Sequence, residues 1–290
     1  MTDDTSTPTE FRSRVGLAAV FGLPVIYTLV ALFVTSSAAS APVDQASAAA
    51  PAPIAGPVQQ VQVPVPSVSP DVLAGLVEAT TWTTVPQAPL DTDLNGGTDG
   101  FVVHPPVPIP VFSSPGGEPI ARLPARQGRS LTWLPVIVAQ PGWFQVMLPS
   151  RPNGATGWIP AALVETARSP YEIRTRLAAM TLDLLKDGQV IGSWTTSPGK
   201  SSTPTPTGRS FILAAIRDSE QTYSPVILPL GTHSATLTSF GSGPGTIALH
   251  TWPSDSVLGT AASHGCVRIP GTAMAALLQV PAGTVIRITP

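Results

Sequence analysis

The sequence predicts a mainly β protein, two β regions carried behind a long tether, and three observations support this. Short apolar or alternating runs broken by Gly, Pro, Asn and Asp fill the chain from residue 101 onward. Asp187-Gly188, set between two such runs, is a strong hairpin signal, because a type I′ turn needs positive φ at both central residues. Beyond residue 101 a single short segment near the C-terminus reads as a helix.

Composition narrows the classes further. Charged residues make up 11% of the 290, less than half of the roughly 25% usual in soluble domains. The 34 prolines are more than twice a usual share of about 5%. A net charge of −2, with no Lys/Arg run interleaved with aromatics, makes nucleic acid an unsuitable partner.

Residues 1–41 read as an export signal or membrane anchor. Arg12 and Arg14 precede twenty uncharged residues, 15–34, and small residues ending Ala39-Ser40-Ala41 follow. That run is long for a cleaved signal and long enough to span a bilayer, so cleavage and anchoring both stay open. The absence of Lys or Arg between the run and Arg122 places the remainder outside the membrane by the positive-inside bias. Residues 42–100 repeat Ala, Pro, Val, Gln, Ser and Thr without apolar period and are expected to be linker, with a short helix over residues 71–79 after Ser69-Pro70.

Residues 101–168 are expected to form a small β module. Strands are predicted over residues 109–112, 131–138, 142–148 and 157–159, and Trp133, Trp143 and Trp158 are expected to serve as core and strand-pairing residues. Residues 142–146 and 156–160 resemble the later strands of bacterial SH3-like domains, which implies a small barrel.

Residues 169–290 are expected to form the second domain. Strands are predicted over residues 172–177, 179–186, 189–194 and 209–216, with 197–208 too rich in Gly, Pro and Thr for regular structure and placed as a wall of a site. A helix over residues 273–280, capped by Thr272, and a closing strand over 284–288 complete it.

The chemistry gathers in Ser263-His264-Gly265-Cys266-Val267-Arg268. Cys266 is the only cysteine, and two of the four histidines, His250 and His264, lie within sixteen residues of it. A thiol with a neighbouring imidazole suffices for acyl transfer. One Cys and two His fall short of a structural zinc set, and no CxxC or HxxxH spacing is present, so no metal and no cofactor are expected. Gly265 lets the backbone turn tightly, and its N–H with that of Cys266 would make a donor pair for an oxyanion. His104 and His233 show no partner and are expected to be surface or structural residues.

With His250 closing an apolar run, Ser263–Arg268 resembles the signature of the YkuD-type L,D-transpeptidases. Gly199-Lys200 and residues 203–209 resemble that family's glycine- and threonine-rich approach to a strand, and the likeness covers residues 170–290. It implies a β-sandwich-like domain that exchanges amide bonds in peptidoglycan stem peptides, with Cys266 as nucleophile and His250 as general base. It further implies Thr251 orienting His250 through its carbonyl, Ser263 and His264 shaping the substrate pocket, and Arg268 ordering the site or meeting a substrate carboxylate. Acylation by carbapenem-type β-lactams is implied as well. L,D-carboxypeptidase activity on the same stems and a non-catalytic wall-binding scaffold are the alternatives. Family members usually read glycine after the strand histidine; this chain has Thr251-Trp252 there.

Overall fold

The computed structural model describes residues 62–217, 221–240 and 243–290, all within one unit. The expected signal or anchor, residues 1–41, lies outside them. Among the described residues no helix is long and apolar enough to cross a membrane.

Helix α1 (Pro70–Gly75) starts where Ser69 Oγ accepts from the Val72 N–H at 3.3 Å, and it is shorter than the nine residues expected. The first β region contains β1 (Phe101–His104), β2 (Ile109–Phe112), β3 (Pro119–Leu123), β4 (Arg126–Gln127), β5 (Ser130–Leu131), β6 (Leu134–Gln140), β7 (Trp143–Met147), β8 (Thr156–Pro160) and β9 (Glu165–Arg168). β4 and β5 pair only with each other, and the other seven form one sheet ordered β3-β2-β8-β7-β6-β1-β9. Trp143 is fully buried, edge-on to Phe112 with ring centroids 5.2 Å apart, and its Nε1–H donates to the Val63 carbonyl at 2.8 Å. Trp133 and Trp158 are only half-buried.

Of the expected linker, residues 42–61 lie outside the described residues, and from residue 79 onward the stretch is packed instead. Ala79, Val85 and Ala88 join the first core. The Ala79 N–H donates to the Arg122 carbonyl at 2.8 Å and the Val85 N–H to the Arg151 carbonyl at 2.9 Å, so the segment borrows backbone partners from the sheet. A few small buried side chains and edge pairing leave no apolar period to read. Phe211, Leu213 and Ala214 of the second region enter the same core.

The second region contains β10 (Tyr171–Arg176), β11 (Thr181–Lys186), β12 (Gln189–Thr195), β13 (Gly208–Phe211), β14 (Ile227–His233), β15 (Thr246–His250), β16 (Val267–Arg268), α2 (Gly271–Leu277) and β17 (Val285–Thr289). One sheet runs β12-β11-β10-β17-β13 and the other β14-β15-β16. Ile173, Leu182 and Leu184 of the first share a core with Leu228, Leu230, Ile247 and Leu249 of the second, and Ala273, Met274 and Leu277 of α2 pack into it. This is the sandwich-like arrangement expected. Asp187 and Gly188 have φ of 49° and 77° between paired Lys186 and Gln189, as the hairpin signal requires.

Two local expectations fail. The strand expected over residues 209–216 ends at Phe211, and beyond it only isolated bridges join Ile212 to Leu230 and Ile216 to Ile227. α2 begins at Gly271, and the cap position is Pro270, not Thr272: proline's fixed φ makes the turn, and no side chain caps it.

Candidate active site

Strand β15 alternates: Ile247 and Leu249 enter the core, which leaves Ala248 and His250 on the opposite face. β16 pairs with it in parallel, Leu249 opposite Val267 and His250 opposite Arg268. With Val267 turned into the core, the same alternation puts Cys266 and Arg268 on the face of His250. Fifteen residues of intervening chain thus return the cysteine beside the histidine through strand register.

The turn before β16 is built by Ser263. Its buried hydroxyl accepts from the Gly265 N–H at 3.1 Å and donates to the Cys266 carbonyl. Gly265 has φ +120°, a region disfavoured for side chains, and a Cβ there would stand 3.1 Å from Ile247 Cδ1. Residues 197–208 hold this turn from outside. Ser197 and Arg268 exchange backbone hydrogen bonds at 2.9 Å each, the Ser263 N–H donates to the Pro198 carbonyl at 3.1 Å, and the Lys200 N–H to the Ser263 carbonyl at 3.1 Å.

His250 is 5% exposed, and its Nδ1–H donates to the Thr251 carbonyl at 2.6 Å. A carbonyl only accepts, so this bond fixes the tautomer and leaves Nε2 with the free lone pair. Burial pushes His250 down from its ordinary 6.5 to about 4; the Thr251 carbonyl works against this and the Arg268 charge adds to it. Burial raises the Cys266 thiol, opposed by a hydrogen bond with the Ala248 backbone and by the Arg268 charge. Both shifts favour a neutral thiol beside a neutral imidazole at rest.

Cys266, His250, Ser263, His264 and Arg268 line one cavity of about 300 Å³. Tyr223, Phe240 and Trp252 complete its wall. Tyr223 and Phe240 carry no local signal in the sequence, and Trp252 stands out there only as part of the departure from the family's usual glycine. The Tyr223 ring stands edge-on to His250 with centroids 5.1 Å apart, and Arg268 lies over the Trp252 ring, 3.6 Å from its centroid. Thr251 and Gly265 take part through their backbones. His104 and His233 lie outside the cavity; both are buried, with His104 Nδ1 meeting the Thr132 carbonyl at 2.9 Å and His233 Nε2 the Thr81 carbonyl at 2.8 Å.

A sandwich-like β domain with a thiol and a buried imidazole facing one apolar-walled cavity is an arrangement suited to acyl transfer. Residues 170–288 match the family model described as YkuD, the L,D-transpeptidase catalytic domain. Among solved structures, the chain is similar to an L,D-transpeptidase from Mycobacterium smegmatis, at 17% identity and a TM-score of 0.37, over 53% of this chain and 93% of that one. It is also similar to L,D-transpeptidase 3 from Mycobacterium tuberculosis in complex with a faropenem-derived adduct, at 16% identity and a TM-score of 0.36, over 48% and 74% of the two chains. An L,D-transpeptidase from Xylanimonas cellulosilytica is similar at 23% identity and a TM-score of 0.31, over 42% and 61%. No curated protein matches the chain.

Proposed function

We propose that this protein is an exported peptidoglycan L,D-transpeptidase acting through a Cys266 thioester. The observation that carries the reading is the shared cavity of Cys266 and His250, with His250 held by the Thr251 carbonyl so that Nε2 is the basic nitrogen.

In this mechanism His250 Nε2 takes the thiol proton as Sγ attacks the carbonyl carbon at the L-centre of a diamino acid, meso-diaminopimelate, joined to a terminal D-alanine. The tetrahedral oxyanion is met by the Cys266 N–H. The Gly265 N–H, expected as its partner, is already engaged by Ser263 Oγ and instead shapes the turn. Collapse breaks the C–N bond, the His250 imidazolium returns its proton to the departing amine, and D-alanine leaves. An amine of a neighbouring stem then attacks the thioester, giving up a proton through His250 and restoring the thiol in a 3→3 cross-link. Water in place of that amine would make the reaction an L,D-carboxypeptidase's.

Ser263 and His264 shape the pocket and Arg268 binds substrate. The first β module, read as SH3-like, would accompany the catalytic domain at the wall, and residues 1–41 would export or anchor it. The test is intact-mass measurement after exposure to a carbapenem, together with D-alanine release from a tetrapeptide stem. A single adduct on the wild type, absent from Cys266→Ala, is expected; no adduct under conditions that label a known L,D-transpeptidase overturns the reading.

A further inference from the structure

Among the described residues Arg268 is a buried cation without a counter-charge. It is 8% exposed, its Nε is buried with no hydrogen-bond partner, and among the described residues no carboxylate pairs with it. What it does have is the Trp252 indole, 3.6 Å from the guanidinium carbon to the ring centroid. That contact covers one flat face of the cation and orients the plane of its donor fork. A desolvated charge left in this state is costly unless a second partner arrives, and a planar fork matches a carboxylate. Among the described residues of the remaining wall, which include Tyr223, Phe240 and a neutral His250, no carboxylate is present.

Trp252 is itself held in place. The Thr251 N–H and Oγ1 both meet Ser224 Oγ at 2.9 Å, which ties down the backbone immediately before the indole. The indole also stands 5.8 Å from the Tyr223 ring and 6.1 Å from the His250 ring, centroid to centroid. A glycine at position 251 would lack the hydroxyl that makes one of these ties.

We infer that Trp252 is a positioning residue: it holds the Arg268 guanidinium flat so that its open edge captures a free carboxylate of the acyl donor, and the enzyme thereby selects carboxylate-bearing stems over amidated ones. This rests on the transpeptidase reading of the same cavity. The bound carboxylate lies away from the reacting carbonyl and contributes equally before and during acylation, so its loss appears in KM more than in kcat.

The experiment follows D-alanine release by the full chain from a tetrapeptide stem and from the same stem amidated at one carboxyl at a time. Wild type is expected to disfavour one of the amides by about tenfold in kcat/KM. Trp252→Leu should raise KM for the unmodified donor by about tenfold with kcat within about twofold, and Trp252→Phe, which keeps an aromatic face, should restore most of it. Arg268→Gln should abolish the discrimination between acid and amide. If wild type releases D-alanine equally well from every donor, or if Trp252→Leu lowers kcat at unchanged KM, the inference fails while the transpeptidase reading stands. If wild type releases none from any donor, both fail. Should Trp252→Leu not fold, as judged by its thermal transition, Trp252→Phe and Arg268→Gln decide by the same acid-to-amide ratio.

Discussion

Thr205 Oγ1 donates to the Gly265 carbonyl at 2.7 Å, joining residues 60 positions apart. The same oxygen accepts from the Gly199 N–H at 2.9 Å, so one buried hydroxyl clamps the long loop to the turn that carries the nucleophile. Thr205→Val keeps the shape and removes both bonds, leaving a part-buried N–H and a buried carbonyl unpaired. A loss of about 1–3 kcal/mol in unfolding free energy is expected. Because the turn sets the direction of Sγ, acylation of Cys266 should slow by about tenfold or more. Thr205→Ser should recover both, and urea unfolding with carbapenem mass shift over time measures them.

The neutral resting pair has a signature in the pH profile. With His250 near 4 instead of 6.5, and the Cys266 thiol raised above its ordinary 9.0, kcat/KM should form a broad plateau whose acid limb lies near pH 4 and whose alkaline limb lies above pH 9. Arg268→Gln removes a cation that opposes protonation of His250 and favours the thiolate, so both limbs should move to higher pH. An acid limb that stays near 6.5 in the wild type would show that His250 is not the base, or that it is not buried in solution.

The site was legible in the sequence to the extent that single residues announced it. One cysteine, a histidine closing an apolar run and a glycine before the thiol are local signals, and strand register then unites them. The Asp187-Gly188 turn was legible for the same reason, since both positive φ values are needed within two residues. Tyr223, Ser224 and Phe240 were not, because each reaches the site from an irregular segment whose path has no period, and Thr205 lay in a stretch legible as a wall without its own hydrogen bonds being so. The packing of the stretch before residue 101 was hidden likewise: Ala79, Val85 and Ala88 are isolated among Thr and Pro, and its partners are backbone groups of a sheet distant in sequence. The start of α2 differs because Thr272 has the right chemistry for a cap, whereas Pro270 sets the backbone two residues earlier.

His233 gives stability a pH dependence of definite sign. It is 1% exposed, its Nε2–H donates to the Thr81 carbonyl, and burial pushes it from 6.5 to about 4, with the Arg151 charge acting in the same direction. The unfolded chain therefore binds more protons than the folded one between those two values. Stability is full above pH 6.5, falls as pH drops through that window and levels off below 4. The loss should be about 2–3 kcal/mol for His233, and His250 adds a loss of the same sign. His233→Gln keeps a donor for Thr81 and does not titrate, so urea unfolding between pH 7 and pH 4.5 should show a shallower decline; an unchanged slope would contradict the assignment.

The Asp91–Arg209 pair tests whether the stretch before the first β region is part of the fold. Arg209 Nη2 meets Asp91 Oδ1 and Nε meets Oδ2, each at 2.8 Å, with both side chains almost wholly buried. The Arg209 Nη1 also donates to the Gly96 carbonyl at 3.1 Å, so the cation gathers the residues around it as well as the carboxylate. Removing one partner of a buried pair leaves an uncompensated charge, and Asp91→Ala should cost about 3 kcal/mol or more. Arg209 is the second residue of β13, whose next residues carry Phe211 into the core shared with the first region. Its disturbance should therefore loosen both regions together and appear as one shifted unfolding transition. Replacing both partners with apolar residues of similar volume, Asp91→Leu with Arg209→Met, should recover most of the loss, because it removes the charge along with its partner. A cost of a few tenths of a kcal/mol for Asp91→Ala, in the range of an exposed pair, would mean that the stretch detaches in solution and that Arg209 is solvated there.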